Sequence, residues 1–128
     1  MKAFAIVWIA VLSFAVFAQS AKVLEKAPQN FEKALKSGNE SVVASAIFHS
    51  AKFKLFYPDQ DTEKLSRQLE RLSQESPSME IRYKAYLAAQ LMNDSALLKK
   101  IEKQDYKDGD RFFKLLAEEI QKEILADK

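Results

Sequence analysis

The feature that most constrains this chain is the helical spacing of its apolar residues after position 28. From that point apolar side chains recur every three or four residues, which is typical of helices that bury one face. No stretch of the sequence alternates apolar and polar residues over the length of a half-buried strand. Because 128 residues provide room for one domain at most, the pattern predicts one all-α domain without a sheet.

Capping and helix-breaking residues divide the pattern into six predicted helices. Asn39 offers an N-cap for a helix that runs to about Tyr57, and Pro58 ends that helix. The fourth helix is predicted to run from about Met79 to Met92. The other boundary signals are Pro28 in the first turn and Gly38 at the end of the first helix, Asp61 for the third, Ser76 with Pro77 for the fourth, Asp94 for the short fifth, and Gly109 with Asp110 for the sixth.

The predicted helices form three antiparallel pairs whose second helices share a pattern. In each second helix an apolar residue precedes an alanine by four positions, and the small alanine lets two helices approach closely. The copies lie roughly 30–40 residues apart, a spacing that is typical of stacked helical repeats. We therefore predict a short solenoid of three pairs, with a closed helical bundle as the alternative. The three pairs of positions are Val42 and Ala46, Ile81 and Ala85, and Phe113 and Ala117.

A more specific motif lies in the middle of the chain. It begins with Glu80-Ile81-Arg82, continues with Ala85, Ala88, Ala89 and Leu91, and ends with Asp94, Ala96 and Leu97. This order of residue types resembles the consensus of the HEAT-repeat family. Residues 40–46 resemble the same element, with Val43 where the consensus has arginine, and residues 111–113 look like a degenerate copy. The resemblance implies a right-handed stack of helix pairs with a scaffold or protein-binding role, and it implies no catalytic residues.

The first 18 residues have the pattern of a secretory signal peptide. Their only charge is Lys2, which is followed by an apolar run and by small residues at Val16-Phe17-Ala18. The run of about 16 apolar residues is shorter than the roughly 20 that span a bilayer. We therefore expect cleavage before Gln19 or Ala21 and export to the periplasm or the medium. The predicted organisation is a signal peptide over 1–18, a mature N-terminal segment over 19–27 and a helical-repeat domain over 28–128.

Composition and spacing exclude most chemistry. The chain has no cysteine, which excludes disulfides, thiol catalysis and cysteine-ligated metal. Its formal net charge is only +2, whereas nucleic-acid binders carry a clear basic surplus. The single histidine, His49, lies among apolar residues and is expected to be structural. The acidic turn at 105–110 cannot be an EF-hand, because Tyr106 and Leu115 occupy ligand positions, so it is interpreted as a turn with a helix cap. No catalytic, cofactor or metal site is predicted.

Two helix faces guide the prediction of function. The second helix is apolar on nearly all sides, which predicts a central position. The sixth helix carries polar residues where a further pair would stack, which predicts the polar end cap that a solenoid needs. The cap residues are Lys114, Glu118, Gln121 and Lys122. The polar edge of the second helices is the candidate partner surface, and it comprises Ser41, Ser45, Lys52, Glu80 and Lys84.

The sequence thus favours an exported, non-catalytic protein–protein interaction module. Its protein partner is unknown, and we expect a monomer with no nucleic acid, no cofactor and no stable membrane anchor after cleavage. The alternative is a helical carrier of an apolar small ligand. A carrier would need an internal cavity of several hundred Å³, whereas a helical stack should be closely packed. The carrier interpretation depends on the aromatic residues Phe48, Phe53, Phe56, Tyr57, Tyr83 and Tyr86.

Overall fold

A computed structural model describes residues 21–126 and shows helices without a strand in that range. The predicted all-α architecture of packed helix pairs is confirmed. The signal peptide predicted over 1–18 lies outside the described residues. The helices are α1 (residues 21–35), α2 (Glu40–Phe56), α3 (Glu63–Glu75), α4 (Met79–Asn93), α5 (Ser95–Lys100) and α6 (Gly109–Ala126).

In the part of the array from α2 to α6, α4 has more helix neighbours than α2, the helix that was predicted to be central. Among helices α2 to α6 the most extensive contact joins α3 to α4, the next joins α2 to α4, and α4 also contacts α5 and α6. The apolar surface of α2 is only partly covered, since Val42 remains 41% exposed and Phe56 remains 37% exposed. Apolar residues on every side of a helix therefore do not guarantee that neighbours surround it.

Helix α1 joins the array through both α2 and α3. The rings of Phe31 and Phe53 meet edge to face with centroids 5.8 Å apart, and the Gln68 side chain donates a hydrogen bond of 3.0 Å to the Glu32 carbonyl. The chain is already helical at residue 21, so Pro28 lies inside α1 and not in its first turn as predicted. Residues 21–27 consist mainly of good helix formers, which explains the extension before the proline.

Small side chains are buried in the two second helices, α2 and α4. Ala85 and Ala88 of α4 are fully buried, and Ala46 of α2 is 4% exposed. The close-approach role predicted for Ala46 and Ala85 therefore agrees with their burial. The apolar partner in α2 is Val43, which is 7% exposed, and not the predicted Val42. Leucine and isoleucine side chains fill most of the remaining core, namely Ile47, Leu55, Leu65, Leu69, Leu91, Leu97 and Leu116.

Local capping explains several helix boundaries. The Asn39 side chain accepts hydrogen bonds from the backbone N–H groups of Ser41 and Val42, at 2.9 and 3.3 Å. Asp94 accepts two such bonds, each of 3.0 Å, at the start of α5. Both predicted caps are confirmed.

Two other predicted boundaries need correction. Helix α3 begins after Thr62, and the Asp61 carboxylate accepts from the Glu63 N–H at 3.1 Å. Ser76 ends α3 and does not start α4, because the Ser78 hydroxyl accepts from the Ile81 N–H and caps α4 instead. Pro77 therefore lies between the two helices.

The first and third helix pairs touch each other. Phe48 of α2 packs on Phe112 and Phe113 of α6, with ring centroids 5.7 and 6.3 Å apart. Lys52 of α2 is also bound to Asp105 in the connection between α5 and α6. In an extended solenoid each pair contacts only its neighbours, so this contact between the first and third pairs departs from an extended stack. The contact lies beside the predicted partner surface.

Candidate functional site

A groove crosses the exposed side of α2. One cavity of about 500 Å³ lies between α2, α4 and the connection over 101–108, with Phe48 and Phe113 among its lining residues. A second cavity of about 370 Å³ continues it towards α1 and is lined by Phe31 and Ala34. Both cavities share Ser45 and His49. We call the two cavities together the α2 groove.

Four of the five predicted surface residues line this groove. Ser45, Lys52 and Lys84 line the larger cavity, and Ser41 lines the smaller one. Glu80 lies beside the groove, where its carboxylate accepts a hydrogen bond from Lys84 at 2.8 Å. Ser41, Ser45 and Glu80 are exposed, whereas the two lysines are largely covered. The structure therefore brings together residues from α2 and α4 that are distant in sequence.

Lys52 attaches the 101–108 connection to α2. Its ammonium donates to the Asp105 carboxylate at 2.7 Å and to the Tyr106 carbonyl at 2.8 Å. The same nitrogen lies 5.2 Å from the centroid of the Phe48 ring, within the range of a cation–π contact. Its side chain is only 17% exposed, because the connection covers it.

Lys84 has an equivalent position on α4. Its ammonium lies 2.8 Å from a Glu80 oxygen, 3.2 Å from an Asp110 oxygen and 5.8 Å from the centroid of the Phe113 ring. Burial lowers the pKa of Lys84, but hydrogen bonds and charge attraction from Glu80 and Asp110 outweigh it, so the pKa is raised above its ordinary value of 10.5. Lys84 is therefore a fixed positive charge at neutral pH.

Asp105 is the most strongly perturbed acid of the site. Hydrogen bonds from Lys107 and Lys52 lower the pKa of Asp105 from 3.8 to about 2. The Lys107 ammonium lies 2.6 Å from one oxygen of this carboxylate. The Asp105 side chain is nevertheless 60% exposed, so solvent reaches the charge that holds Lys52.

The remaining residues of the acidic turn shape the wall of the groove. The Asp108 side chain accepts hydrogen bonds from the N–H groups of Asp110 and Arg111, at 3.0 and 3.4 Å, and so caps α6. A Cβ atom on Gly109 would lie 3.5 Å from ring carbons of Phe48, so the backbone of the wall approaches the ring closely. The helix cap predicted within 105–110 is confirmed, whereas residues 102–108 form an irregular connection without an assigned turn.

His49 does not lie in the core, although a structural role among apolar residues was expected. It is exposed and lines both cavities of the groove, with its ring 5.4 Å from that of Phe48. The exposed position of His49 could have been predicted from its neighbours on the helix surface. Because Ser41, Ser45, His49 and Lys52 follow one another at intervals of three or four residues, they form one stripe along α2.

The aromatic residues behind the carrier interpretation are mostly at the surface. Phe56, Tyr57, Tyr83 and Tyr86 are 37%, 43%, 53% and 44% exposed. Of the six aromatic residues, only Phe48 lines the α2 groove. The set therefore does not enclose a common cavity.

Over residues 21–126, no group of three or more histidine and acidic side chains could hold a metal ion. None of the helices in this range is long and apolar enough to cross a membrane. Comparison of the chain with protein-family models, curated proteins and solved structures finds no match.

Proposed function

We propose that this chain is an exported, non-catalytic protein-binding module whose partner lies in the α2 groove. The observation that carries the proposal is the groove itself, an open channel across α2 with Ser45 and His49 at its middle. Its aromatic rings offer apolar surface, while its rim offers hydroxyl, ammonium and carboxylate groups. Apolar surface beside polar and charged groups is the usual composition of a protein–protein contact.

Small residues make the middle of the groove accessible to a polypeptide backbone. Ala44 and Ser45 line the larger cavity, and Ser41 and Ser45 line the smaller one. Such short side chains leave room for a helix or an extended segment to approach α2. The resemblance to HEAT repeats, whose role is protein binding, supports the same function.

The absence of catalysis is part of the proposal. The charged groups of the groove serve the fold: Asp108 caps α6, while Lys52 and Lys84 hold the 101–108 connection and α6 to α2 and α4. Export is supported by the signal-peptide pattern of residues 1–18. The intact mass of the exported protein tests it, because the chain should begin at Gln19 or Ala21.

A carrier of an apolar small ligand is the second candidate, favoured by the neighbouring Phe48 and Phe113 rings in the larger cavity. Native mass spectrometry of the purified protein separates the two candidates. A carrier would retain a small-molecule mass, which disappears on unfolding, whereas a protein-binding module would have the mass of the polypeptide alone.

Site-specific photo-crosslinking in the producing cells tests the main proposal. A benzoylphenylalanine residue replaces Ser45 in the groove or, as a matched control, the exposed Gln74 of α3. We expect one protein adduct of defined mass from position 45 and none of that mass from position 74. The same adduct from both positions, or from position 74 alone, would contradict the proposal.

A further inference from the structure

We propose that a basic face formed by α1 and α3 binds reversibly to an anionic phospholipid membrane. This inference goes beyond the proposed function because it concerns another side of α1. Phe31 and Ala34 of that helix line the α2 groove, whereas the basic residues lie at other positions around it. The basic face comprises Lys22, Lys26, Lys33, Lys36, Lys64, Arg67 and Arg71.

Four lysines form a stripe along α1 and the turn that follows it. With Gln29 they follow one another at intervals of three or four residues, so they share one side of the helix. All four lysines are exposed, and the stripe from Lys22 to Lys36 is about 20 Å long. Over residues 21–126, none of the four forms an ion pair. Their charges are therefore not neutralised by carboxylates of the same protein.

Three exposed basic residues of α3 continue this face. Lys64, Arg67 and Arg71 lie on one side of α3, and together with Lys36 they line a cleft of about 530 Å³ between α1 and α3. Within the described part of the chain only Arg67 has an ion-pair partner, which is Glu63 at 3.2 Å. Both side chains of that pair are mostly exposed, at 66% and 76%, so the pair is weak. The cleft thus joins the two basic stripes into one surface.

Positive charge on the basic face exceeds the negative charge beside it. Glu70 of α3 is bound elsewhere, since it accepts a hydrogen bond of 2.9 Å from Asn93 of α4, and Glu75 lines a different cavity. Seven basic residues against three acidic ones leave an excess of four positive charges, whereas the formal net charge of the whole chain is only +2. The field of the protein is therefore directed towards this side. The three acidic residues are Glu25, Glu32 and Glu63.

The extent of the basic face favours a membrane over a small anion. A single ion meets a few cations at one point, whereas a bilayer surface offers phosphate groups over the whole length of the stripe. Groups of about four to eight lysines and arginines on a helix are typical of binding to anionic lipids, and each contributes a factor of about five to partitioning.

The side chains around the stripes also fit a membrane better than a nucleic acid. Helix α3 contains no aromatic residue, and Phe31 of α1 packs on Phe53, so this face lacks rings on which nucleobases could stack. Val23 is 63% exposed beside Lys22, which places one apolar side chain where it can reach the lipid interface. Cleavage at the predicted site would also create an N-terminal ammonium group close to this end of α1.

Co-sedimentation of the purified protein with lipid vesicles tests the proposal. One set of vesicles is phosphatidylcholine alone, and the other is equal parts of phosphatidylcholine and phosphatidylglycerol. We expect binding to the mixed vesicles to be at least about tenfold tighter and to weaken as salt rises, because salt screens exposed charges. Equal or undetectable binding to the two kinds of vesicle, or binding that salt does not weaken, would overturn the proposal.

A matched pair of variants distinguishes the basic face from overall charge. One variant removes three unpaired cations of the cleft and should bind the mixed vesicles at least about tenfold more weakly: Lys36→Gln, Lys64→Gln and Arg71→Gln. The control removes the same kinds of charge at exposed positions of the last connection and α6 and should bind like the parent: Lys103→Gln, Arg111→Gln and Lys114→Gln. Circular dichroism confirms that both variants are folded. Equal weakening by both would overturn the proposal.

A third variant has the opposite expected effect. Glu32 is the one acidic residue among those that line the cleft, so Glu32→Gln should strengthen binding to the mixed vesicles several-fold. Its backbone carbonyl keeps the hydrogen bond from Gln68, which leaves the contact between α1 and α3 intact. Unchanged or weaker binding by Glu32→Gln would contradict the placement of the membrane on this face.

Competition with inorganic phosphate separates a membrane surface from a site for a free anion. At equal ionic strength, phosphate and chloride should release the protein from the mixed vesicles to the same extent. Release by phosphate at concentrations where chloride has no effect would overturn the membrane proposal in favour of a small-anion site. Crosslinking from position 45 reports on the α2 groove alone, so the protein-binding function is tested separately.

Discussion

At the scale of single residues, alanines determine how closely α2 and α4 pack. Ala46 and Ala85 are buried at the positions where the two sequences match, and Ala88 and Ala89 beside Ala85 are buried as well. Protein interiors are close-packed, so a larger side chain at these positions must displace a helix.

Ala85→Leu should therefore destabilise the protein by roughly 1–3 kcal/mol through overpacking. Denaturant titration measures the change. The control is Ala96→Leu, the same substitution at an exposed position of α5, which should stay within about 0.5 kcal/mol of the parent. An unchanged midpoint for Ala85→Leu would contradict the close approach of α4 to its neighbours.

The second residue-scale prediction concerns the titration of Asp105. Lys107 and Lys52 lower the pKa of Asp105 to about 2 in the folded protein, from an ordinary value of 3.8. The stabilisation from this carboxylate is thus complete above its ordinary pKa and is lost as pH falls through about 2. An NMR titration of the side chain should show the low pKa, and Lys52→Gln should raise it towards 3.8. A pKa near 3.8 in the parent protein would mean that Asp105 does not hold Lys52.

Some residue roles could be predicted from the sequence and others could not. The caps Asn39 and Asp94 were predictable because each binds N–H groups only two or three residues away. The burial of Val43 in place of Val42, and the exposure of His49, depend on where α1, α4 and α6 lie around α2. Since α2 has apolar side chains on most sides, periodicity alone did not select the buried face.

At the scale of helices, α2 connects the two parts of the groove and depends on its N-terminal cap. The Asn39 side chain binds the first free N–H groups of α2, which otherwise lack an intrahelical acceptor. The adjacent Glu40 carboxylate accepts a hydrogen bond from the Ser78 hydroxyl at 2.6 Å. The start of α2 is thereby joined to the cap of α4.

Asn39→Ala should lower the free energy of unfolding by about 1 kcal/mol, because two backbone donors lose their acceptor. Asn39→Asp is the matched control, since it keeps the acceptor and places a negative charge at the helix N-terminus. Thermal unfolding followed by circular dichroism compares them. Equal losses in both variants would mean that Asn39 contributes through some contact other than its cap.

Long-range contacts between elements could not be predicted from the sequence. The number of helices and most of their ends follow from local signals, whereas the ion pair between Lys52 and Asp105 joins residues 53 positions apart. Nothing in the spacing of either segment indicates that the acidic connection folds back on α2. For this reason the polar edge of the groove was predicted from the sequence. That Phe48, Phe113 and Asp110 line its other sides was not predicted.

At the scale of the whole molecule, the described chain is an array of packed helix pairs whose last described helix is α6. The face of α6 predicted as the end cap is exposed in the structure, comprising Lys114, Glu118, Gln121 and Lys122. Among residues 21–126, Lys122 pairs only with Glu119 of the same helix, at 3.2 Å. Repeat arrays need such a polar end for solubility.

The combined variant Lys114→Leu, Gln121→Leu and Lys122→Ala should remain folded but associate. The changes replace exposed groups, which are usually neutral for stability, and they create an apolar strip where a further pair could stack. Light scattering should show dimers or longer species. A control variant with Lys64→Leu, Gln74→Leu and Arg71→Ala spreads the same kinds of change over exposed positions of α3 and should stay monomeric. Unfolding of the α6 variant as a monomer would contradict the end-cap assignment.

Hydrogen-exchange mass spectrometry of the complex tests the central claim most directly, namely that the α2 groove is the face that binds a partner. The partner captured by crosslinking from position 45 is mixed with unmodified protein, and exchange is compared with that of the free protein. We predict slower exchange in peptides covering residues 41–52 and 102–111, with no change over 63–75. Slower exchange confined to 63–75, with the groove peptides unchanged, would contradict the claim.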